Sequence, residues 1–89
     1  MLMLRRHFAL DVAEACHAYG VTLIPYGVLA GGFLSGKYRG GARPEGARHT
    51  VHPRFQPRYA TPAVADAVEK YAELAEAKGL TPTQLAVAW

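Results

Sequence analysis

Ile24-Pro25-Tyr26-Gly27-Val28-Leu29-Ala30-Gly31-Gly32-Phe33-Leu34-Ser35-Gly36-Lys37-Tyr38 is the stretch on which the reading of this chain turns. With Val21-Thr22-Leu23 ahead of it, residues 21–26 form a short run, apolar almost throughout, between Gly20 and Gly27. Such a run predicts a strand of a parallel sheet, buried on both faces. Pro25 has no N–H to give a ladder and belongs near the strand end. Past Tyr26 the chain enters a Gly-rich turn and reaches Lys37. Glycines let the backbone approach a ligand and present its N–H groups, which suits phosphate oxygens. Lys37 and the arginines beyond it add positive charge, and Tyr26 offers a flat face for stacking on a ring. A ligand with both a diphosphate and an aromatic ring would use all three features. The residues alone also allow plainer readings. Tyr26 reads more readily as a cap on a hydrophobic core, Gly31-Gly32 as an ordinary turn, and Lys37 and Arg48 as solvated charges. The spacing is not the GxGxxG fingerprint.

Working outward, residues 8–19 predict a helix, with Phe8, Val12, Ala15, Cys16 and Tyr19 in one apolar stripe. Gly20 suits the left-handed residue that closes it. Residues 27–60 read as one long irregular loop rich in glycine, proline and arginine, and loops of that length are usually binding loops, lids or disorder. A helix is expected from Thr61, a good N-cap followed by Pro62, with Val64, Val68, Tyr71, Ala72 and Ala75 as its buried face. Another is expected from Thr81, where Thr81-Pro82-Thr83-Gln84 is a capping box. The order is therefore helix, strand, loop, helix, helix. A single strand leaves two edges without partners. That order, and a chain that stops at Trp89 one turn into a capped helix, predict a single partial domain over residues 1–89.

The bulk properties narrow the function. The chain has 89 residues and is about half apolar, with no segment long enough to span a bilayer. Residues 1–7 do not read as a signal peptide, because the charges follow the apolar residues. The lone Cys16 excludes a disulfide framework and points to a reducing cytoplasm, with the thiol in the core. His49 and His52 are three apart with no third ligand near, so no metal site is expected. Lys37, Arg39, Arg43, Arg48, Arg54 and Arg58 are opposed only by Glu45 within residues 37–58, so the positive charge is concentrated there. A basic stretch of this kind attracts anions.

Residues 26–38 resemble, without a gap, the end of the seventh barrel strand and the following loop of the aldo-keto reductase family. Residues 11–19 resemble that family's sixth helix, residues 44–48 the basic turn after Gly-Lys-Tyr, and residues 64–89 the helices leading to the last strand. The resemblance covers nearly the whole chain. It implies an α/β fold, a fragment of a (β/α)8 TIM barrel that lacks the last strand. It also implies an oxidoreductase using NADP(H) on a carbonyl substrate. On that basis Tyr26 stacks on the nicotinamide, Gly27, Val28, Leu29, Ala30 and Gly31 line the diphosphate, and Lys37 and Arg48 contact cofactor phosphates. The chain departs from the family at Gly27, where many members have Ser, and at Val28, where many have Pro. The catalytic Asp, Tyr, Lys and His fall on earlier strands, so none is assigned here and no reductase turnover is expected from this chain alone.

Two alternatives accompany this reading. The basic stretch with Phe55 and Tyr59 suits a small nucleic-acid-binding protein, although no recognition helix is visible. The open edges of the predicted strand suit a non-catalytic chain that completes a split barrel with the remaining barrel segments.

Overall fold

The computed structural model describes residues 3–4 and 11–89. Helix α1, Val12–Tyr19, ends where Gly20 turns left-handed at φ 61° and donates its N–H to the carbonyls near the C-terminus. The first part of the helix expected from Phe8 lies outside the described residues. None of the described α1 residues is buried, and Cys16 is only half-buried rather than in the core.

The strand expected at residues 21–26 is not formed, and no strand occurs among the described residues. The physical reason is pairing. A strand exists through the ladder it shares with a neighbour, and nothing in the described chain supplies one. The run stays apolar and uncovered instead, with Ile24 at 90 % and Tyr26 at 92 % exposure.

Residues 27–60 are more ordered than a long loop. They hold 3-10 turns at Ala30–Ser35, Arg39–Gly41 and Pro57–Tyr59, and the single-turn helix α2 at Arg48–Val51. These turns are too short to carry a hydrophobic period, so periodicity cannot reveal them. Helix α3, Pro62–Ala77, begins as expected, with the Thr61 hydroxyl accepting from the Val64 N–H. Helix α4, Pro82–Ala88, starts on a complete capping box. The Thr81 N–H donates to Gln84 Oε1 at 2.8 Å, and the Gln84 N–H donates to Thr81 Oγ1 at 3.2 Å.

The core lies where α3 and α4 meet the Ala30–Ser35 turn. Ala30, Leu34, Tyr59, Val68 and Ala86 are buried there with Met3. On the face expected for α3, Val68, Ala72 and Ala75 are buried, while Val64 and Tyr71 pack at the margin. Trp89, after α4, is half exposed. One polar tie fastens the loop to α3: Arg39 donates to both carboxylate oxygens of Glu69 and lies 3.6 Å from Glu76. The glycine loop is therefore held from below by Ala30 and Leu34 and from the side by Arg39.

Candidate functional site

The Gly-rich turn begins at Gly27, whose carbonyl accepts the Ala30 N–H at 2.9 Å. The backbone then alternates in hand: Leu29 is at φ −91°, ψ 7°, and Ala30 follows at φ 51°. A right-handed residue followed by a left-handed one turns successive N–H groups to one side, making a concavity suited to an anion. Gly31 and Gly32 continue at φ 67° and 98°. Both left-handed angles favour glycine, and Gly31 is also crowded. A Cβ on Gly31 would stand 2.8 Å from Gln56 Oε1 and 2.9 Å from His49 Nε2. A Cβ on Gly32 would stand 2.9 Å from Lys37 Cε and 3.2 Å from its Nζ. Lys37 thus folds back over the glycine turn it follows in sequence.

This turn forms one wall of a groove of about 710 Å³. Tyr26, Gly27, Val28, Leu29, Gly31 and Lys37 line it together with Arg48, which α2 brings across from the opposite side. Of the residues singled out in the sequence, Ala30 alone does not line the groove. It is fully buried, and its methyl group anchors the turn in the core. The groove also takes in Gly32, Gly46, Ala47, Val51 and His52, which sequence reading did not select. The second half of the wall is contributed by the turn into α2, and no local pattern announces that it folds back onto residues 26–32.

The charges along the groove are cationic. Lys37 and Arg48 line it, and among the described residues no carboxylate does. Both cations lean on aromatic faces: Lys37 Nζ is 5.2 Å from the Tyr38 ring centroid, and Arg48 Cζ is 5.1 Å from that of Phe55. Such contacts fix the stems while the charged ends remain available. Tyr26 stands at the rim with its ring exposed. Backbone N–H groups on one wall, two cations and a free aromatic face give a surface that can hold an oxyanion beside a flat ring.

Behind the wall is a group that the sequence reading set aside. His49 is buried among Phe33, Tyr38 and Phe55. Burial holds its imidazole below the ordinary histidine range, and Arg43, Arg48 and Lys37 push it the same way. No sequence signal marks this histidine, because its partners are drawn from residues 33, 38 and 55 only by the folding of the loop. Among the described residues no group of His, Cys, Asp and Glu is arranged to hold a metal ion.

The profile of the family described as Aldo/keto reductase family matches residues 1–89. The chain belongs to the aldo/keto reductase family. It is 41 % identical over 87 residues to Protein tas of Escherichia coli (strain K12), covering 98 % of this chain and 25 % of that protein. Protein tas of Shigella flexneri gives the same figures. The aldo-keto reductase yakc of Schizosaccharomyces pombe, whose name specifies NADP(+), is 34 % identical over 83 residues, covering 90 % of this chain and 24 % of that protein. The chain therefore spans about a quarter of the length of the curated relatives it matches. Family membership implies a segment of a (β/α)8 barrel. The nucleic-acid alternative finds no support in this match. Nor does the basic stretch act as one patch, since Arg39 is engaged by Glu69 and Glu76 while Arg58 lies 4.8 Å from the Tyr59 ring.

Proposed function

We propose that this chain supplies the diphosphate- and nicotinamide-facing part of the cofactor site of an NADP(H)-dependent aldo/keto reductase. The observation that carries the proposal is the single groove shared by Tyr26, the glycine turn, Lys37 and Arg48. The bound cofactor supplies hydride for reduction of an aldehyde or ketone. The chain's own residues bind and orient it. The N–H groups of Gly27, Val28, Leu29 and Gly31 face the diphosphate, Lys37 and Arg48 neutralise its charge, and Tyr26 stacks on the nicotinamide. Ala30 shapes the turn rather than donating to the ligand, its N–H being held by the Gly27 carbonyl and its side chain by the core. Gly27 in place of Ser removes a hydroxyl donor and leaves the backbone donors in position.

The resemblance places the family's catalytic Asp, Tyr, Lys and His outside residues 1–89, so these residues contribute to the cofactor site and not to the turnover of substrate. The exposed apolar run at residues 21–26 favours the remaining barrel segments as its partner. A lone Cys16 fits a reducing cytoplasm, and no helix among the described residues is long and apolar enough to cross a membrane.

Charge-assisted hydrogen bonds contribute about 1.5–3 kcal/mol each. Lys37→Ala and Arg48→Ala should therefore each weaken NADP+ binding about tenfold or more. Arg54→Ala, outside the groove, should leave affinity unchanged. Isothermal titration of the three variants reads this directly. Equal losses from Arg54→Ala and Arg48→Ala would reduce the groove to nonspecific charge attraction.

A further inference from the structure

His49 sits under the groove's glycine wall without lining it. Its side chain is packed among Phe33, Tyr38 and Phe55, with ring centroids at 4.5, 5.3 and 5.7 Å, and the residue is 2 % exposed. Its backbone N–H donates to the Tyr38 hydroxyl oxygen at 3.1 Å. Neither Nδ1 nor Nε2 has a hydrogen-bond partner among the described residues, and the same holds for Gln56 Oε1 and Thr50 Oγ1. Buried polar atoms are nearly always paired, so a cluster of unpaired ones calls for a reason. His49 Nε2 and Gln56 Oε1 both point at Gly31, to within 2.9 and 2.8 Å of where a Cβ would stand. Among the described residues two non-glycines have positive φ, Ala30 at 51° and Gln56 at 48°. One precedes Gly31 and the other touches it. Backbone strain of this kind persists where the surrounding structure over-determines it, most often at ligand clamps. Strain and unpaired polar atoms thus meet at one residue of the groove wall.

We propose that His49 is a positioning residue of the groove that takes up a proton when an oxyanion binds there, so that anion capture is proton-linked. This rests on the cofactor-phosphate reading of the groove given above. A neutral imidazole has one donor and one acceptor nitrogen, whereas the protonated ring has two donors. Gln56 Oε1, which converges with His49 Nε2 on Gly31, is an unpaired acceptor and suits the protonated form. Burial opposes it, and so do the charged groups that face the ring, which are the cations Lys37, Arg43 and Arg48. Tyr38, at the ring's edge, adds only a neutral hydroxyl. Two of the three cations line the groove. An oxyanion held between Lys37 and Arg48 cancels their field at His49 and leaves the acceptor untouched. The balance then moves toward imidazolium, and by reciprocity anion affinity rises as pH falls.

The test uses sulfate as the probe, because its charge is constant through the titration range of imidazole. The His49 ring is followed by NMR against pH, with and without saturating sulfate. The expected result is a midpoint about one pH unit higher with sulfate, matched by about a tenfold rise in sulfate affinity on the acid side. His49→Gln should bind sulfate with no such pH dependence. Lys37→Met, at an exposed position, should raise the midpoint without any sulfate, and it carries the test if His49→Gln does not fold. Sulfate that moves the amides of residues 27–32 but leaves the His49 midpoint in place overturns the linkage alone. Sulfate that moves none of those amides overturns the groove reading beneath it.

Discussion

Gly31 shows how one residue ties the fold to the site. Its φ of 67° favours glycine, and any Cβ there would press on His49 Nε2 and Gln56 Oε1. Left-handed strain and overpacking each cost about 1–3 kcal/mol. Gly31→Ala should therefore lower stability by roughly 2 kcal/mol or more in urea melts, and weaken cofactor binding with it. His49 gives the chain a pH dependence of definite sign. Its folded-state pKa lies below the ordinary value of 6.5, so the unfolded chain binds more protons between the two. Stability is then complete above about 6.5 and falls as pH drops through and below it. Glu69 acts in a lower window. The hydrogen bond from Arg39 holds its carboxylate below the ordinary value, so its contribution is lost only as pH falls past the usual glutamate range. Denaturant melts across pH should show both steps, and His49→Gln should remove the upper one. Of these residues Gly31 was visible in the sequence as part of a glycine pair. His49 was not, because its burial depends on three rings distant in the chain.

At the scale of elements, legibility followed locality. The starts of α3 and α4 were readable from Thr61-Pro62 and from Thr81 with Gln84, because a cap is a contact between residues three apart. Thr81→Ala should cost about 1 kcal/mol of stability, since it removes the acceptor for the Gln84 N–H. The 3-10 turns of residues 27–60 were not readable, because their order comes from packing. Leu34 is the clearest example: it sits in a segment that read as loop yet is 2 % exposed in the core. Leu34→Ala should cost about 2–5 kcal/mol, a loss seen as an earlier thermal midpoint. A loop residue without tertiary packing would show almost none. The strand failed to appear for the complementary reason. Val21, Leu23 and Ile24 have the right chemistry for a buried strand, but a ladder needs a partner backbone that the described residues do not contain.

The whole molecule is more open than a compact chain of its size. Its surface is 6291 Å², against about 5,100 Å² for a compact folded chain of this mass. Its radius of gyration is 14.4 Å, against about 12 Å for a compact chain of 89 residues. The exposed apolar run at residues 21–26, with Ile24 and Tyr26 almost wholly uncovered, is part of that open surface. Ile24→Lys, at a 90 % exposed position, should leave the thermal melting midpoint of the chain unchanged. The central claim is that the glycine turn, Lys37 and Arg48 together form the cofactor-phosphate groove. An amide-resolved NMR titration of the protein with NADP+ tests it most directly. The account predicts shifts concentrated at residues 26–32, Lys37 and Arg48, with α3 and α4 quiet. Shifts spread over all the arginines of residues 39–58, or none at residues 26–32, would contradict it.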